Sequence, residues 1–374
     1  MHEVHLVSLA VGDEAESATA LHEAMEALRP LVASVHAFPL FGTMPRVRRL
    51  GAAVKSAVRG PSYWDRLFAV PTMADHLRTQ GTVPFDLVHL DIVFLAPYLA
   101  SFPGVPVALN HHNVESDLLR RRSANSALPG KWFFGRQVAL VSRSERLCAQ
   151  RAGVNLVVSA LDGERLQSLA GGVPVKVVPN GVDLDFFRPT AGVEPQRSRL
   201  VFAGGMDWFP NREAMIHLAR DLWPALRRDN PDRRMTVVGR SPPSELREAA
   251  ARDPNLEVTG FVDDVRPYVS AASIYLCPIT VGGGTRLKIL EALAMSRPLV
   301  STNLGVEGLD LVEGVHYLAA NTTTEFVTQV GRLENDPALA ASLTRAGRAF
   351  VERHYSWPAI ARSLHEGWTL AATR

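Results

Sequence analysis

The chain has 374 residues, 47% of them hydrophobic and 21% charged, with 40 Lys and Arg against 38 Asp and Glu. That length suits two domains of roughly 150–200 residues each, and the apolar-to-charged balance is that of a globular chain and excludes a disordered one. A net charge of +2 without zinc-finger or RNA-binding signatures argues against nucleic acid as a partner, and two distant cysteines, Cys148 and Cys277, suit a reducing cytoplasm and not a disulfide scaffold.

From the N-terminus, Met1-His-Glu-Val-His5 carries acid and histidine where a signal peptide would carry lysine or arginine before an apolar run. Short β-branched runs then alternate with helical periods almost to the end, which predicts α/β architecture with parallel sheets. Strands are expected near 4–9, 31–38, 86–90, 105–110, 155–159 and 175–178. The apolar stretch Ile92–Leu109 is long enough to mimic a membrane span. Pro97, Pro103, Gly104 and Pro106 cut it into a short helix, a turn and a strand. His111-His112-Asn113 follows that strand, and the longest helical pattern is expected from Glu115 to about Ala152, with Glu115 as a cap and the helix starting near Ser116.

Further strands are expected near 199–203, 235–238, 256–259, 274–277, 298–301 and 316–318, and a last helical pattern follows Tyr355-Ser-Trp357. The polar Pro/Gly segment from Arg188 to Arg197 marks the domain boundary. Beyond the strand ending at Cys277, Gly282-Gly-Gly-Thr-Arg-Leu-Lys-Ile-Leu-Glu291 opens a helix. A glycine loop feeding a helix N-terminus leaves backbone N–H groups free to meet an anion, and the macrodipole favours negative charge there. Arg286 and Lys288 nevertheless sit in this turn, and Lys288 is one of only four lysines, with Lys55, Lys131 and Lys176. A bound diphosphate resolves the conflict, because it takes both cations and the amides together. The competing reading is an ordinary solvated helix start behind a glycine hinge.

Five pieces in order resemble the family-4 retaining glycosyltransferases of GT-B fold. They are His112-Asn113, Val178-Pro-Asn-Gly-Val-Asp-Leu-Asp-Phe-Phe-Arg-Pro189, Phe202-Ala-Gly-Gly-Met-Asp-Trp-Phe-Pro-Asn211, Thr259-Gly-Phe-Val-Asp-Asp264 and Gly284 to Glu291. The resemblance implies two facing doubly wound Rossmann-like domains with a deep cleft between them. The expected division is an acceptor-binding domain over 1–188, a donor-binding domain over 189–355, and a C-terminal helix over 356–374 that crosses back to the first domain. It implies transfer from a nucleoside-diphosphate sugar to an acceptor hydroxyl, in glycan or glycoconjugate biosynthesis by a bacterial enzyme. The acceptor would be a glycan, a lipid-linked sugar or a small molecule; no metal or other cofactor is expected.

By the same resemblance, Arg286 and Lys288 contact the leaving phosphate, with Gly284 and the amides of Thr285, Arg286 and Leu287 beneath it. Glu291 accepts from the ribose hydroxyls, and Val262 reads the base through its backbone. Gly204 and Gly205 allow close backbone approach to phosphate or sugar. His112 contacts the sugar near the reacting centre, with His111 as the competing choice. The two walls would close over the donor and exclude water. One departure stands out: the family usually has a first glutamate eight positions before the second, where this chain has Gly283.

Two other features have competing readings. Asp183-Leu-Asp185 has the spacing that binds a metal–diphosphate in a different glycosyltransferase fold, and here it belongs to the inter-domain signature. Arg46, Arg48, Arg49, Lys55 and Arg59, with Arg120-Arg-Arg122, read either as a solvated basic face or as a surface that meets anionic lipid or a lipid-diphosphate acceptor. The expected location is therefore the cytoplasm, with peripheral contact at the inner membrane face under the second reading. The alternatives to transfer are a GT-B sugar-nucleotide epimerase or hydrolase, and a non-catalytic nucleotide-sugar-binding subunit.

Overall fold

A computed structural model describes residues 2–10, 16–40, 46–58, 60–282 and 284–373, without the side chains of 16–18 and 46–49. Gly283 and Arg59 lie outside the described residues, as do the side chains of Arg46, Arg48 and Arg49. The chain forms two compact units. One comprises 1–156, 166–175 and 368–374; the other comprises 157–165 and 176–367. Against the expected division at Arg188, residues 176–188 group with the second unit, and the last helix, Trp357–Ala372, is divided at Trp368.

The strands are β1 (His5–Ala10), β2 (Ser34–Pro39), β3 (Val88–Leu90), β4 (Val107–His111), β5 (Val154–Val157), β6 (Val175–Val177), β7 (Gln196–Ala203), β8 (Arg234–Val238), β9 (Leu256–Gly260), β10 (Ala272–Cys277), β11 (Leu299–Ser301) and β12 (Leu318–Ala319). Twelve runs were expected and each holds a strand, with ends shifted by a few residues. In the first unit β1 pairs in parallel with β2, and a separate sheet runs β3-β4-β5-β6. Its apolar residues form several small clusters, such as Leu40, Val70, Met73, Leu77 and Tyr98, and Val93, Phe94, Leu119 and Val141.

The long helix expected from Glu115 to Ala152 is two helices, Glu115–Ala124 and Gly130–Arg151, packed against each other. Asn125 ends the first, its side chain donating to Arg121 O at 2.8 Å, and Pro129 cannot continue a helical hydrogen-bond ladder. The helix start also differs from expectation. The Glu145 carboxylate, reaching from the second helix, accepts from the amides of Glu115 at 2.6 Å and Ser116 at 3.1 Å, so Glu145 caps the helix and Glu115 does not.

The second unit has one sheet in the order β12-β11-β10-β7-β8-β9, every pair parallel. In sequence rank that is the six-stranded doubly wound order, with its reversal between β7 and β10. Helices cover both faces, so Leu200, Val201, Phe202, Ile274, Tyr275, Leu276 and Cys277 are all buried and the strands read as unbroken apolar runs. Thr322 and Glu325 form a capping box that starts the helix Thr323–Asn335. Arg233, 1% exposed, forks onto Glu334 of that helix at 2.8 and 3.1 Å and donates to Leu226 O at 2.8 Å, which ties three elements of the unit together.

Candidate active site

In a doubly wound sheet, ligands bind outside the carboxyl ends of the strands at the point where the order reverses. In the second unit that point lies between the loops following β7 and β10, which begin at Gly204 and Pro278. The loops are held closely. Gly204 N donates to Val238 O at 2.9 Å, and a Cβ on Gly239 would lie 2.1 Å from Gly204 O, so only glycine permits the two turns to meet. Gly205 follows, and Asn211, 6% exposed in the first turn of the helix Phe209–His217, donates its Nδ2 to Gly205 O at 2.7 Å.

The helix after β10 spans Leu287–Ala294, with Arg286 at its N-cap position. The amides of Thr285 and Arg286 therefore belong to the preceding loop, while Leu287 opens the helix and is partly exposed. Gly284 has φ +79°, and its carbonyl accepts from Arg286 Nη1 at 2.6 Å. Arg286 is buried at 6% exposure. Thr285 Oγ1 accepts from Asn180 Nδ2 at 2.9 Å, which joins the glycine loop to the Val178–Pro189 segment.

Lys288 runs beneath β7. Its ammonium lies 4.4 Å from the Phe202 ring centroid and donates to Asn211 Oδ1 at 2.5 Å. Among the described residues it has no ion-pair partner. Burial is the main cause that brings its pKa down to about 8, with the Arg286 charge adding to the effect. Burial also pushes Glu291 above the ordinary carboxylate range, and Lys288 opposes this. A buried guanidinium and a half-buried ammonium at one helix start, the ammonium on a neutral amide, are suited to receiving an anion. Val262 is half-buried in the loop beyond β9, where Asp264 pairs with Arg266 and the Arg266 guanidinium lies 3.8 Å from the Phe186 ring. Asp183 serves its own turn: its carboxylate accepts from the amides of Asp185 at 3.0 Å and Phe186 at 2.8 Å.

In the first unit β4 delivers two histidines with different environments. His111 is 2% exposed with Nε2 3.0 Å from Asn155 Oδ1, and burial brings its pKa down to about 4, so it is neutral at physiological pH. His112 is part-exposed, with Nε2 3.1 Å from Asp91 Oδ1. That hydrogen bond raises the His112 pKa against the opposing effect of burial. Burial alone would raise Asp91, but hydrogen bonds from His112, His89 and Asn110 outweigh it and hold the carboxyl well below its usual range. Trp368 Nε1 donates to His89 Nδ1 at 2.9 Å, and Asn110 Nδ2 to Asp91 Oδ1 at 3.0 Å. Beneath them lie Glu115 and Glu145, each pushed up to about 7, chiefly by burial.

The second unit thus brings together Gly204, Arg286, Lys288 and Glu291, and the first carries His112. Asn211 and Asp91 were not singled out from the sequence. Asn211 was visible as a polar residue in the turn after the glycines; for Asp91, which lies 21 residues before His112, no local signal exists.

Comparisons with known proteins agree with this architecture. Residues 1–186 match the family model "Glycosyltransferase Family 4", and residues 197–336 match "Glycosyl transferases group 1". The chain is 25% identical over 301 residues to a glycogen synthase of Mycobacterium tuberculosis, covering 77% of this chain and 69% of that protein. It is 29% identical over 213 residues to a phosphatidyl-myo-inositol mannosyltransferase of the same species, covering 54% of this chain and 55% of that protein. Among solved structures it superposes on sucrose-phosphate synthase from Thermosynechococcus elongatus with TM-score 0.68 at 16% identity, over 97% of this chain and 98% of that one. It superposes on Anabaena HepE in complex with UDP with TM-score 0.67 at 14% identity, over 98% of this chain and all of that one; HepE was also determined with UDP-glucose.

Proposed function

The chain belongs to the family-4-type glycosyltransferases of GT-B fold, and on that premise we propose that it transfers a sugar, with retention of anomeric configuration, from a nucleoside-diphosphate sugar to an acceptor hydroxyl. The observation that carries this reading is the pair of cations, buried Arg286 and half-buried Lys288, at the helix start beside the sheet's reversal point. In the reaction the bond from the anomeric carbon to the phosphate oxygen breaks and the acceptor oxygen bonds to that carbon. Negative charge grows on the departing diphosphate, which takes up the acceptor proton. Cations already in place around that phosphate stabilise the transition state more than the ground state.

In this reading Glu291 holds the ribose, Gly204 and Gly205 lie against the donor, Val262 meets the base, and His112 acts near the reacting carbon. The HepE complexes with UDP and UDP-glucose support a donor of this chemical class. No divalent metal enters the proposal, because side chains and a helix N-terminus supply the positive charge.

The test is turnover of nucleotide sugars by the wild type and by Arg286→Ala and Lys288→Ala. Each substitution should lower kcat/KM by about 10²-fold or more, the scale of losing one transition-state donor. Activity should persist in excess EDTA, and the first-formed product should keep the donor's anomeric configuration by NMR. Near-normal activity in both variants would remove the diphosphate assignment, and loss in chelator restored by Mg²⁺ would remove the metal-independent one.

A further inference from the structure

His112 stands at one end of a chain of contacts that begins on the last helix of the protein. The strand β3 pairs in parallel with β4, Leu90 opposite Leu109, so that Asp91 follows beside Asn110. Leu90 is buried, and by the period of two His89 and Asp91 lie on the face opposite to it. Three side-chain nitrogens converge on Asp91 Oδ1: Asn110 Nδ2 at 3.0 Å, His112 Nε2 at 3.1 Å and, further off, His89 Nε2 at 3.9 Å. The Asp91 side chain is 68% exposed, so these groups and not packing hold its carboxylate in one orientation.

On its other edge His89 meets Trp368 of the helix Trp357–Ala372, whose Nε1 donates to His89 Nδ1 at 2.9 Å. The two rings stand edge to face with centroids 5.8 Å apart. An indole nitrogen can only donate, so His89 Nδ1 accepts and the imidazole proton sits on Nε2, the nitrogen turned toward Asp91. The opposite tautomer would set two N–H groups against each other at Trp368 and a lone pair against the carboxylate. The helix end that carries Trp368 is itself held in place: Ala371 is 1% exposed, and a Cβ on Gly153 would lie 3.1 Å from Ala371 O. All of these residues belong to the first unit.

We propose that Trp368 and His89 are positioning residues for the transfer reaction: Trp368 sets the His89 tautomer, the His89 Nε2 proton steadies the Asp91 carboxylate, and Asp91 orients His112. This role rests on the reading of His112 as the group near the reacting carbon. No proton moves along the chain; each contact fixes the direction of the next, as supporting groups do around a reactive side chain. A side chain with the same acceptor and donor, and no titration of its own, therefore replaces His89. Glutamine is such a side chain, since its amide carries an acceptor and a donor side by side in one plane.

The test combines turnover, nucleotide affinity and the nitrogen resonances of isotope-labelled histidine, all in the full chain. Trp368→Phe keeps an aromatic ring and removes the donor. It should lower kcat by about five- to tenfold, the scale of one hydrogen bond, and leave the affinity for free nucleoside diphosphate unchanged. His89→Leu should lose as much, whereas His89→Gln should keep most of the wild-type kcat. Without substrate, wild-type His89 should show a protonated Nε2 and an unprotonated Nδ1, and Trp368→Phe should move both resonances toward a mixture of tautomers. Wild-type kcat in Trp368→Phe, equal losses in His89→Gln and His89→Leu, or a His89 protonated at Nδ1 would each overturn the proposal. Full activity in His112→Ala would remove the reading beneath it, and the kinetic role with it, even with the His89 resonances as stated. Should Trp368→Phe melt early, the two His89 variants and the wild-type resonances decide the matter.

Discussion

His112 and Asp91 show how one contact sets the chemistry of a side chain. With Nε2 donating to Asp91 at 3.1 Å, the imidazole leaves Nδ1 as its remaining ring nitrogen, and the carboxylate favours the imidazolium form. His112 therefore keeps its proton to higher pH than an isolated histidine, which suits it to donating a hydrogen bond or a positive charge. His111, buried on Asn155, does the opposite and stays neutral. Asp91→Asn should lower the His112 pKa, as read from the pH dependence of the imidazole proton resonances. An unchanged His112 titration would mean that Asp91 does not govern it. Because Asp91 is exposed and His112 part-exposed, the stability change should stay within about 1 kcal/mol.

Among elements, the helix Glu115–Ala124 depends on a residue thirty positions away. Glu145 caps its first amides from a buried position, and half-buried Glu115 beside it has a raised pKa. The sign of the pH effect follows from the direction of the shift. In the unfolded chain these carboxyls ionise near 4.5, whereas folded they hold protons up to about 7. Between those values the folded state binds more protons, so stability falls as pH rises through the window. Glu115→Gln should flatten the decline: the wild type should lose a few degrees of melting temperature between pH 5 and pH 7.5 that the variant keeps, about 2–4 °C for each kcal/mol. Parallel curves for the two proteins would show that Glu115 is not part of the window.

For the whole molecule, two compact units with separate cores imply that ligand effects can be assigned to one of them. Every side chain proposed to hold the diphosphate lies in the second unit, and His112 lies in the first. Titration calorimetry with free nucleoside diphosphates should give the same affinity for His112→Ala and wild type. The affinity should also weaken as pH rises through about 8, because the diphosphate selects the ammonium form of Lys288 and binding draws in a proton. A large loss of affinity in His112→Ala would assign that residue to the nucleotide instead of to the sugar.

The sequence by itself determined the strand series and the glycine loop with its two cations, because these are local. Alternation of apolar runs with helical periods needs only neighbours within a turn or two. It also carried the family resemblance, since each of the five pieces is a contiguous segment. Tertiary structure decided what depends on distance in the chain. The break at Asn125–Pro129 turned one expected helix into two, and the second then supplied the cap of the first through Glu145. Asn211 reached Lys288 across 77 residues, and Asp91 reached His112 across 21. The basic stretches at 46–59 and 120–122 were legible as charge, but only the packing through Gln137 decided that Ser56 turns inward on its helix. Which face a helix buries is fixed by what it packs against, and that information lies in no single stretch of the chain.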